Sequence, residues 1–249
     1  MEVGMIIGVA SVLDEAPIIR QTVTHLFNSG ADLIIVSDGG STDGTQQVLS
    51  DVAHNMVPYY MGGNKRLIVI PQEGPLHQDV EMTRLAHMAQ DLGATWIVPF
   101  DADEFWCNLS LLDLLDRQQD LSVPIGRVQA TMWQHTTWNH RHRNPKPLPK
   151  VAFRPVPGMR ITWGNHDVHG IPGGITNGLA IRELQYRDWD HFVAKIDKAA
   201  RLFAISDFPI EYGSHMRRLV AMTDMERREE WAAMQAVPTV YDPIPYLGE

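Results

Sequence analysis

Val36-Ser37-Asp38-Gly39-Gly40-Ser41-Thr42-Asp43-Gly44-Thr45 follows the apolar run Leu33-Ile34-Ile35-Val36 with a turn made of glycine, hydroxyl and carboxylate side chains. The run reads as a strand buried on both faces. The glycines permit positive φ and close backbone approach, and Ser41 or Thr42 can cap a helix running from Thr45 to about Ala53. Strand, turn and helix form one unit, and the chain repeats it on both sides. Upstream, Gly4 to Leu13 is a strand that ends at Asp14. Pro17 then suits a first helical turn, Ile19, Val23, Leu26 and Phe27 recur at helical spacing, and Gly30 stops the helix. Downstream, Leu67 to Ile70 is a third strand, followed by a loop through Gly74-Pro75. A helix from about His77 to Leu92 places Leu85, Met88, Ala89 and Leu92 on one face and is closed by Gly93. Trp96-Ile97-Val98-Pro99-Phe100 is the fourth strand.

Alternating strands and helices predict right-handed crossovers and an α/β fold with a mostly parallel central sheet flanked by helices. In such sheets ligands bind beyond the carboxyl ends of the strands. Asp14, Asp38 and the pair Asp101/Asp103 each fall just after a predicted strand, so all can converge on that one edge. Beyond Asp103 the regularity weakens. A short helix runs from Ser110 to about Gln118, and Arg127 to Trp133 reads as a strand. Gln134 to Lys150 is polar, interrupted by proline and rich in His, Arg and Lys, and reads as a mobile loop. Asp188 to Ala204 and Thr223 to Ala236 read as helices. The expected organisation is a single domain over 1–249, with a regular half in 1–106 and a less regular half with C-terminal helices in 107–249.

The 249 residues are 44% hydrophobic and 20% charged, which excludes a disordered, collagen-like or disulfide-stapled chain. With 21 basic and 30 acidic residues the net charge is −9, so no general electrostatic drive toward nucleic acid or anionic lipid exists. Cys107 is the only cysteine, which fits a reducing, cytoplasmic setting. The apolar run near Met1 lacks the basic flank of a signal peptide, and no other run approaches the ~20 residues of a membrane span. An integral membrane segment is not expected.

Asp101-Ala102-Asp103 sets two carboxylates directly after an apolar strand, where both can face one ion. Such hard oxygen ligands suit Mg²⁺ or Mn²⁺, although an isolated D-x-D is also what a solvated acidic turn shows. Asp38 can accept hydrogen bonds from a base or ribose, or serve only a tight turn. Neither G-x-G-x-x-G nor G-x-x-x-x-G-K-[ST] occurs, so no dinucleotide fingerprint or P-loop supplies phosphate binding. A diphosphate at this edge would need a metal ion for neutralisation.

The stretch Val36 to Thr45 resembles the "vDdgStDgT" element of family 2 glycosyltransferases with the GT-A (nucleotide-diphospho-sugar transferase) fold. Asp101-Ala102-Asp103-Glu104-Phe105 resembles their D-x-D in its "DaDEF" form, and Asp14-Glu15 stands where the family has Asn-Glu. The resemblance is close over residues 4 to 106. It implies a hexosyltransferase-like enzyme that moves a sugar from a UDP- or GDP-sugar to a hydroxyl acceptor, with inversion and with Mn²⁺ or Mg²⁺. By position, Asp38 would contact the base, Asp14 would lie by the nucleotide, and Arg84 would contact ribose or phosphate. Asp101 would meet ribose or metal, and Asp103 would ligate the metal.

Lys150-Val-Ala-Phe-Arg-Pro155 followed by Gly164-Asn165-His166-Asp167 is similar to a segment of the "DaDEF" branch. It makes His166 the first choice for the third metal ligand, His169 the second, and Asp167 the candidate base. Ile181 to Arg187, with Phe192 and Lys195, resembles a "H-[FY]-x-Y-R-S" element in which Glu183 stands at the His position and Asp188 at the Ser position. Arg141, Arg143, Lys146 and Lys150 cluster beside Trp133 and Trp138, as either a flap over diphosphate or a solvated surface. Met222 to Met234 reads as a packing helix.

Three other functions bear on these residues. Gly164-Asn-His-Asp167 is also the tetrapeptide of calcineurin-like metallophosphoesterases, but the D-x-H and G-D-x-x-D of their two-metal centre are absent before residue 164. A sugar nucleotidyltransferase would carry a basic, Gly-rich loop where Asp14-Glu15-Ala16-Pro17 stands. A noncatalytic nucleotide- or carbohydrate-binding module on the same fold is the remaining alternative.

Overall fold

Ile6–Val12 forms β1, buried along nearly its whole length between two parallel neighbours, β2 (Leu33–Asp38) and β4 (Trp96–Pro99). The register runs Ile7 beside Leu33 to Val12 beside Asp38, and β2 in turn pairs in parallel with β3 (Arg66–Pro71). The computed structural model describes residues 4–57, 65–72, 77–117, 124–148, 150–205 and 213–245. The loop through Gly74-Pro75 lies outside them.

The connecting helices are α1 (Ile19–Ser29), α2 (Thr45–Asp51) and α3 (Gln78–Asp91), as the sequence predicts. A π turn over Val52–Met56 extends α2. Gly44 precedes α2 with φ +100°, a left-handed geometry suited to glycine. Ile7, Val9, Leu33, Ile35 and Ile97 of the sheet pack with Met82, Leu85, Ala86 and Ala89 of α3 into one dry cluster. This is the period-3.6 face of α3 laid on the period-2 face of the strands.

Beyond β4 the sheet becomes antiparallel. β5 (Glu104–Cys107) pairs with β11 (Gly174–Glu183), while β8 (Lys150–Phe153) lies between β4 and β6 (Ile125–Thr137). Helix α4 is Ser110–Arg117, and a separate hairpin joins β9 (Arg160–Thr162) to β10 (Asp167–His169). Residues 134–150, expected to form a mobile loop, instead contribute to three strands. β6 continues to Thr137, β7 (His140–His142) turns back, and Lys150 opens β8. Thr137 Oγ1 accepts the N–H groups of Asn139 and His140 at 3.2 and 3.1 Å, which makes a tight reversal from polar residues.

The chain packs as two compact units, residues 1–133, 145–183 and 245–249 in one and 134–144 with 184–244 in the other. In the second unit β7 pairs with β12 (Thr239–Tyr241). Its helices are α5 (Trp189–Ile205), α6 (Ser214–Ala221) and α7 (Asp224–Gln235). Tyr186, Phe192, Ile196 and Leu219 form the core there, with Trp231 5.4 Å from Phe192. Thr223 starts α7 with a reciprocal capping box to Glu226.

Candidate active site

All the candidate site residues belong to the first unit. The loops after β1 and β2 are laced together by short hydrogen bonds. Asp14, Glu15 and Ala16 donate their backbone N–H groups to Ser41 Oγ, Thr45 Oγ1 and Asp43 Oδ2 at 2.8, 2.8 and 2.9 Å. Thr42 N–H returns the favour to Asp14 Oδ1 at 2.8 Å. Asp14 itself takes φ +50°, a region tolerated by short polar side chains. Burial alone would raise the Asp43 carboxyl, but bonds from Thr45 and Ala16 outweigh it and hold the group below its ordinary value.

Asp38, the last residue of β2, is the keystone of this corner. Oδ2 accepts from Gly40 N, Ser41 N and Gln46 Nε2 at 3.2, 3.1 and 2.5 Å, and Oδ1 accepts Ser41 Oγ at 2.5 Å. A carboxylate offers about four acceptor positions, so the loop uses nearly all of Asp38's capacity.

A second corner lies past β4. Asp101 Oδ1 accepts Asn165 Nδ2 at 2.8 Å and Gln78 Nε2 at 3.0 Å, and Oδ2 pairs with Lys150 Nζ at 2.9 Å. The Lys150 ammonium also reaches Glu104 Oε2 at 2.6 Å, and that oxygen accepts the Asp101 N–H at 3.0 Å. Lys150 has 0% exposure and Glu104 is equally enclosed, whereas 31% of the Asp101 side chain stays open. Asp103 is buried. Burial pushes Glu104 up to about 8 against the pull of Lys150, with the Asp101 and Asp103 carboxylates adding to the rise. Burial alone would pull Lys150 down, but Asp101 and Glu104 hold it above its ordinary value, so the ammonium stays charged.

The β9–β10 hairpin supplies the third element. Its reversal, Trp163 to His166, is held by the Trp163 carbonyl, which accepts Asn165 N–H at 3.0 Å and His166 N–H at 3.3 Å. His166 and Asp167 are half-buried, and Asp167 Oδ1 accepts the Val168 N–H at 2.8 Å. Arg84, on α3, forms a two-pronged pair with buried Glu81 at 2.9 and 2.6 Å and keeps 36% of its side chain exposed.

The structure thus brings Asp14 and Asp38 together in one corner, and Asp101 with Asp103 in the other. Among the described residues no three His, Cys, Asp or Glu side chains gather as a ready-made metal cage. A hard ion does not require such a cage, because Mg²⁺-type ions keep water and use one or two carboxylates plus substrate phosphates. Asp103 beside a partly open Asp101 fits that chemistry. Glu183, opposite Glu104 in the β5–β11 register, is ion-paired with Lys146. The basic cluster expected near Trp138 is divided instead of pooled. Arg141 pairs with Asp242 at 2.8 Å, Lys146 with Glu183, and Lys150 lies in the core. Gln78, Asn165, Glu104 and Lys150 are site residues to which sequence reasoning assigned no such role. Their only sequence signal is the segment similarity around Lys150 and Asn165 and the "DaDEF" pattern around Glu104.

The sheet carries carboxylate-bearing loops past its parallel strands, the edge at which open α/β sheets receive ligands. The chain belongs to glycosyl transferase family 2, whose model matches residues 9–175, from β1 into β11, and it is a glycosyltransferase. No curated protein sequence matches it. Among solved structures, it is similar to residues 1–349 of TarS from S. aureus in complex with UDP, with 9% identity and a TM-score of 0.48 over 91% of this chain and 78% of that one. Against the longer TarS structure it has 11% identity and a TM-score of 0.49, and its 87% coverage spans only 42% of that chain. Glucosyl-3-phosphoglycerate synthase from Mycobacterium tuberculosis, in complex with Mn²⁺, UDP and phosphoglyceric acid, shares 18% identity at a TM-score of 0.33, covering 53% of this chain and 44% of that one. Among the described residues no helix is long and apolar enough to cross a membrane.

Proposed function

We propose that the chain transfers a sugar from a UDP- or GDP-sugar to a hydroxyl acceptor, with inversion and with Mn²⁺ or Mg²⁺ bound at Asp103. The observation that supports this reading is the placement, past the carboxyl ends of the neighbouring parallel strands β2, β1 and β4, of the laced Asp14–Thr45 loops and the Asp101/Asp103 corner in a family 2 chain. The laced loops receive the nucleotide, with Asp14 beside it and Arg84, already oriented by Glu81, turned to ribose or phosphate. Asp38 contacts the base by exchanging its Gln46 or Ser41 donor for a base N–H. Asp101, steered by Lys150, Gln78 and Asn165, has capacity for about one further contact, to ribose or metal. Asp103 holds the ion with Asp101, and His166 is the protein's candidate for a further ligand.

When bound, the ion offsets negative charge on the departing diphosphate. Asp167 accepts the proton of the acceptor hydroxyl as that oxygen bonds to the anomeric carbon, and the bond to the diphosphate breaks with its electron pair. Attack from the face opposite the leaving group inverts that carbon. A cytoplasmic site of action suits the lone thiol, Cys107.

Calorimetric titration with UDP and with GDP, each with and without Mn²⁺, tests the donor site on the wild type and on Asp103→Ala. One nucleotide is expected to bind in a metal-dependent way that the substitution abolishes. Absence of nucleotide binding under every condition overturns the donor site, and binding without transfer to any acceptor or water replaces the enzyme with a binding module.

A further inference from the structure

Trp163 is 78% exposed, more than any other large apolar side chain among the described residues. Indole is ordinarily among the best-buried groups, so this exposure has to be maintained against the hydrophobic effect. Its backbone is also unfavourable: φ is +53°, the left-handed region that bulky side chains seldom occupy. Glycine would adopt it freely, as Gly164 does beside it at +72°. Nothing in the fold of the reversal calls for a tryptophan there.

The reversal beneath the indole is firmly held. Asn165, 2% exposed, donates to Asp101 Oδ1 at 2.8 Å, and Gln78 donates to the same oxygen at 3.0 Å. A Cβ on Gly164 would lie 3.0 Å from Gln78 Oε1, so hairpin and helix are in close contact. The exposed indole therefore stands on a firmly held reversal whose Asn165, with Gln78, reaches the Asp101 carboxylate. A pyranose has the matching two-sided chemistry, with a C–H face for an aromatic ring and hydroxyls for amides and carboxylates.

We infer that Trp163 is the platform on which a sugar ring of the acceptor stacks, so that the acceptor is a glycoside or glycan and not an aliphatic alcohol. The inference rests on the transferase reading proposed above. The acceptor is favoured over the donor because Trp163 opens the four-residue reversal 163–166, and Asp167, paired with Thr162 across it, directly follows. On this inference a ring seated on Trp163 is the one whose hydroxyl Asp167, the proposed base, serves.

The test uses methyl glycosides of glucose, galactose, mannose and N-acetylglucosamine as probes, with wild type, Trp163→Phe and Trp163→Gly. Saturation-transfer NMR with UDP and Mn²⁺ present reports which ring protons touch the protein and gives the dissociation constants. At least one glycoside is expected to bind through the C–H protons of one ring face, two- to threefold more weakly in Trp163→Phe and about tenfold or more in Trp163→Gly. Calorimetric UDP binding stays unchanged in both variants. The melting temperature of Trp163→Gly stays at or above that of the wild type, because glycine relieves the left-handed backbone, so weaker glycoside binding there is not a folding defect. Binding unchanged in Trp163→Gly, or no glycoside binding to the wild type, overturns the platform. Weakened UDP binding in that variant also overturns it, by giving the indole to the donor. Stacking on Trp163 in a protein that binds no nucleotide leaves the platform standing and removes only the transferase reading.

Discussion

The two corners of the site are built by opposite means. The loop corner is laced by backbone amides, hydroxyls and two carboxylates, Asp14 and Asp43, across 27 to 30 residues of chain, in bonds that are partly open to water. The charge corner encloses an ammonium between Glu104 and Asp101, 46 and 49 residues away, and adds Asn165 from 64 residues beyond Asp101. Each bond of the first is modest and exchangeable with a ligand. The second is held by buried charge, which cannot lose one member without leaving another uncompensated. A nucleotide, which must enter and leave, suits the exchangeable corner, and carboxylates that must meet an ion at a set position suit the rigid one.

The largest expected effect breaks the rigid corner. Lys150→Met leaves Glu104 buried beside Asp101 and Asp103 without the Lys150 cation, and in urea titrations at pH 9, above the Glu104 value of about 8, it is expected to lower unfolding free energy by about 3–5 kcal/mol. Adding Glu104→Met to it removes the uncompensated charge and should restore part of that loss, which a double-mutant cycle reads directly. A loss below about 1 kcal/mol for Lys150→Met, the level of an exposed pair, would show that the corner is solvated and the contrast false.

Glu104→Gln sharpens the same side of the comparison through pH. The Glu104 carboxyl is raised to about 8 in the fold, chiefly by burial, from an ordinary 4.5. The folded protein therefore holds that proton more tightly than the unfolded chain. This contribution to stability is fully present below 4.5 and is lost as pH rises through about 8. Unfolding free energies of the metal-free wild type from urea titrations should fall across that window, no more steeply than about 1.4 kcal/mol per pH unit. Glu104→Gln should flatten the fall, and a wild-type profile with no slope between those values would contradict the burial of an ionisable Glu104.

The same contrast explains what could be read in the sequence. Each βα unit of the parallel half is local: an apolar run, a turn and a helix with one apolar face, so β1 to β4 and α1 to α3 fall where the pattern puts them. Asp14, Asp38, Asp101 and Asp103 reach the sheet edge because each follows such a run. Lys150 gave no such signal, since a lysine in a polar, proline-broken stretch reads as solvated until β8 inserts between β4 and β6. Gln78 looks like any first-turn helix residue until Asp101 arrives across 23 residues. The polar end of β6 and the short strand β7 show no alternation, because His, Thr and Arg side chains line them instead of a core. Helix α6, eight residues with adjacent arginines, is too short for its one apolar stripe to stand out.

The smallest expected effect concerns the exchangeable corner and decides whether it deserves that description. Thr45 Oγ1 accepts the Glu15 N–H at 2.8 Å and donates to Asp43 at 2.6 Å, so one hydroxyl serves both loops. Thr45→Val keeps the shape and removes both bonds, and Thr45→Ser keeps the bonds and removes a methyl. Because Thr45 is buried, the valine variant leaves the Glu15 amide without its acceptor, at a cost of about 1–2 kcal/mol. The serine variant should lose less than that, with only a methyl's burial gone, about 0.8 kcal/mol at most. The remaining bonds from Asp14 to Ser41 and from Ala16 to Asp43 keep the loops in register, so nucleotide affinity in calorimetry should fall only a few-fold in Thr45→Val. If that variant instead unfolds as readily as Lys150→Met, the laced loops behave as one cooperative unit, and exchangeability must be sought in Asp38 and Gln46 alone.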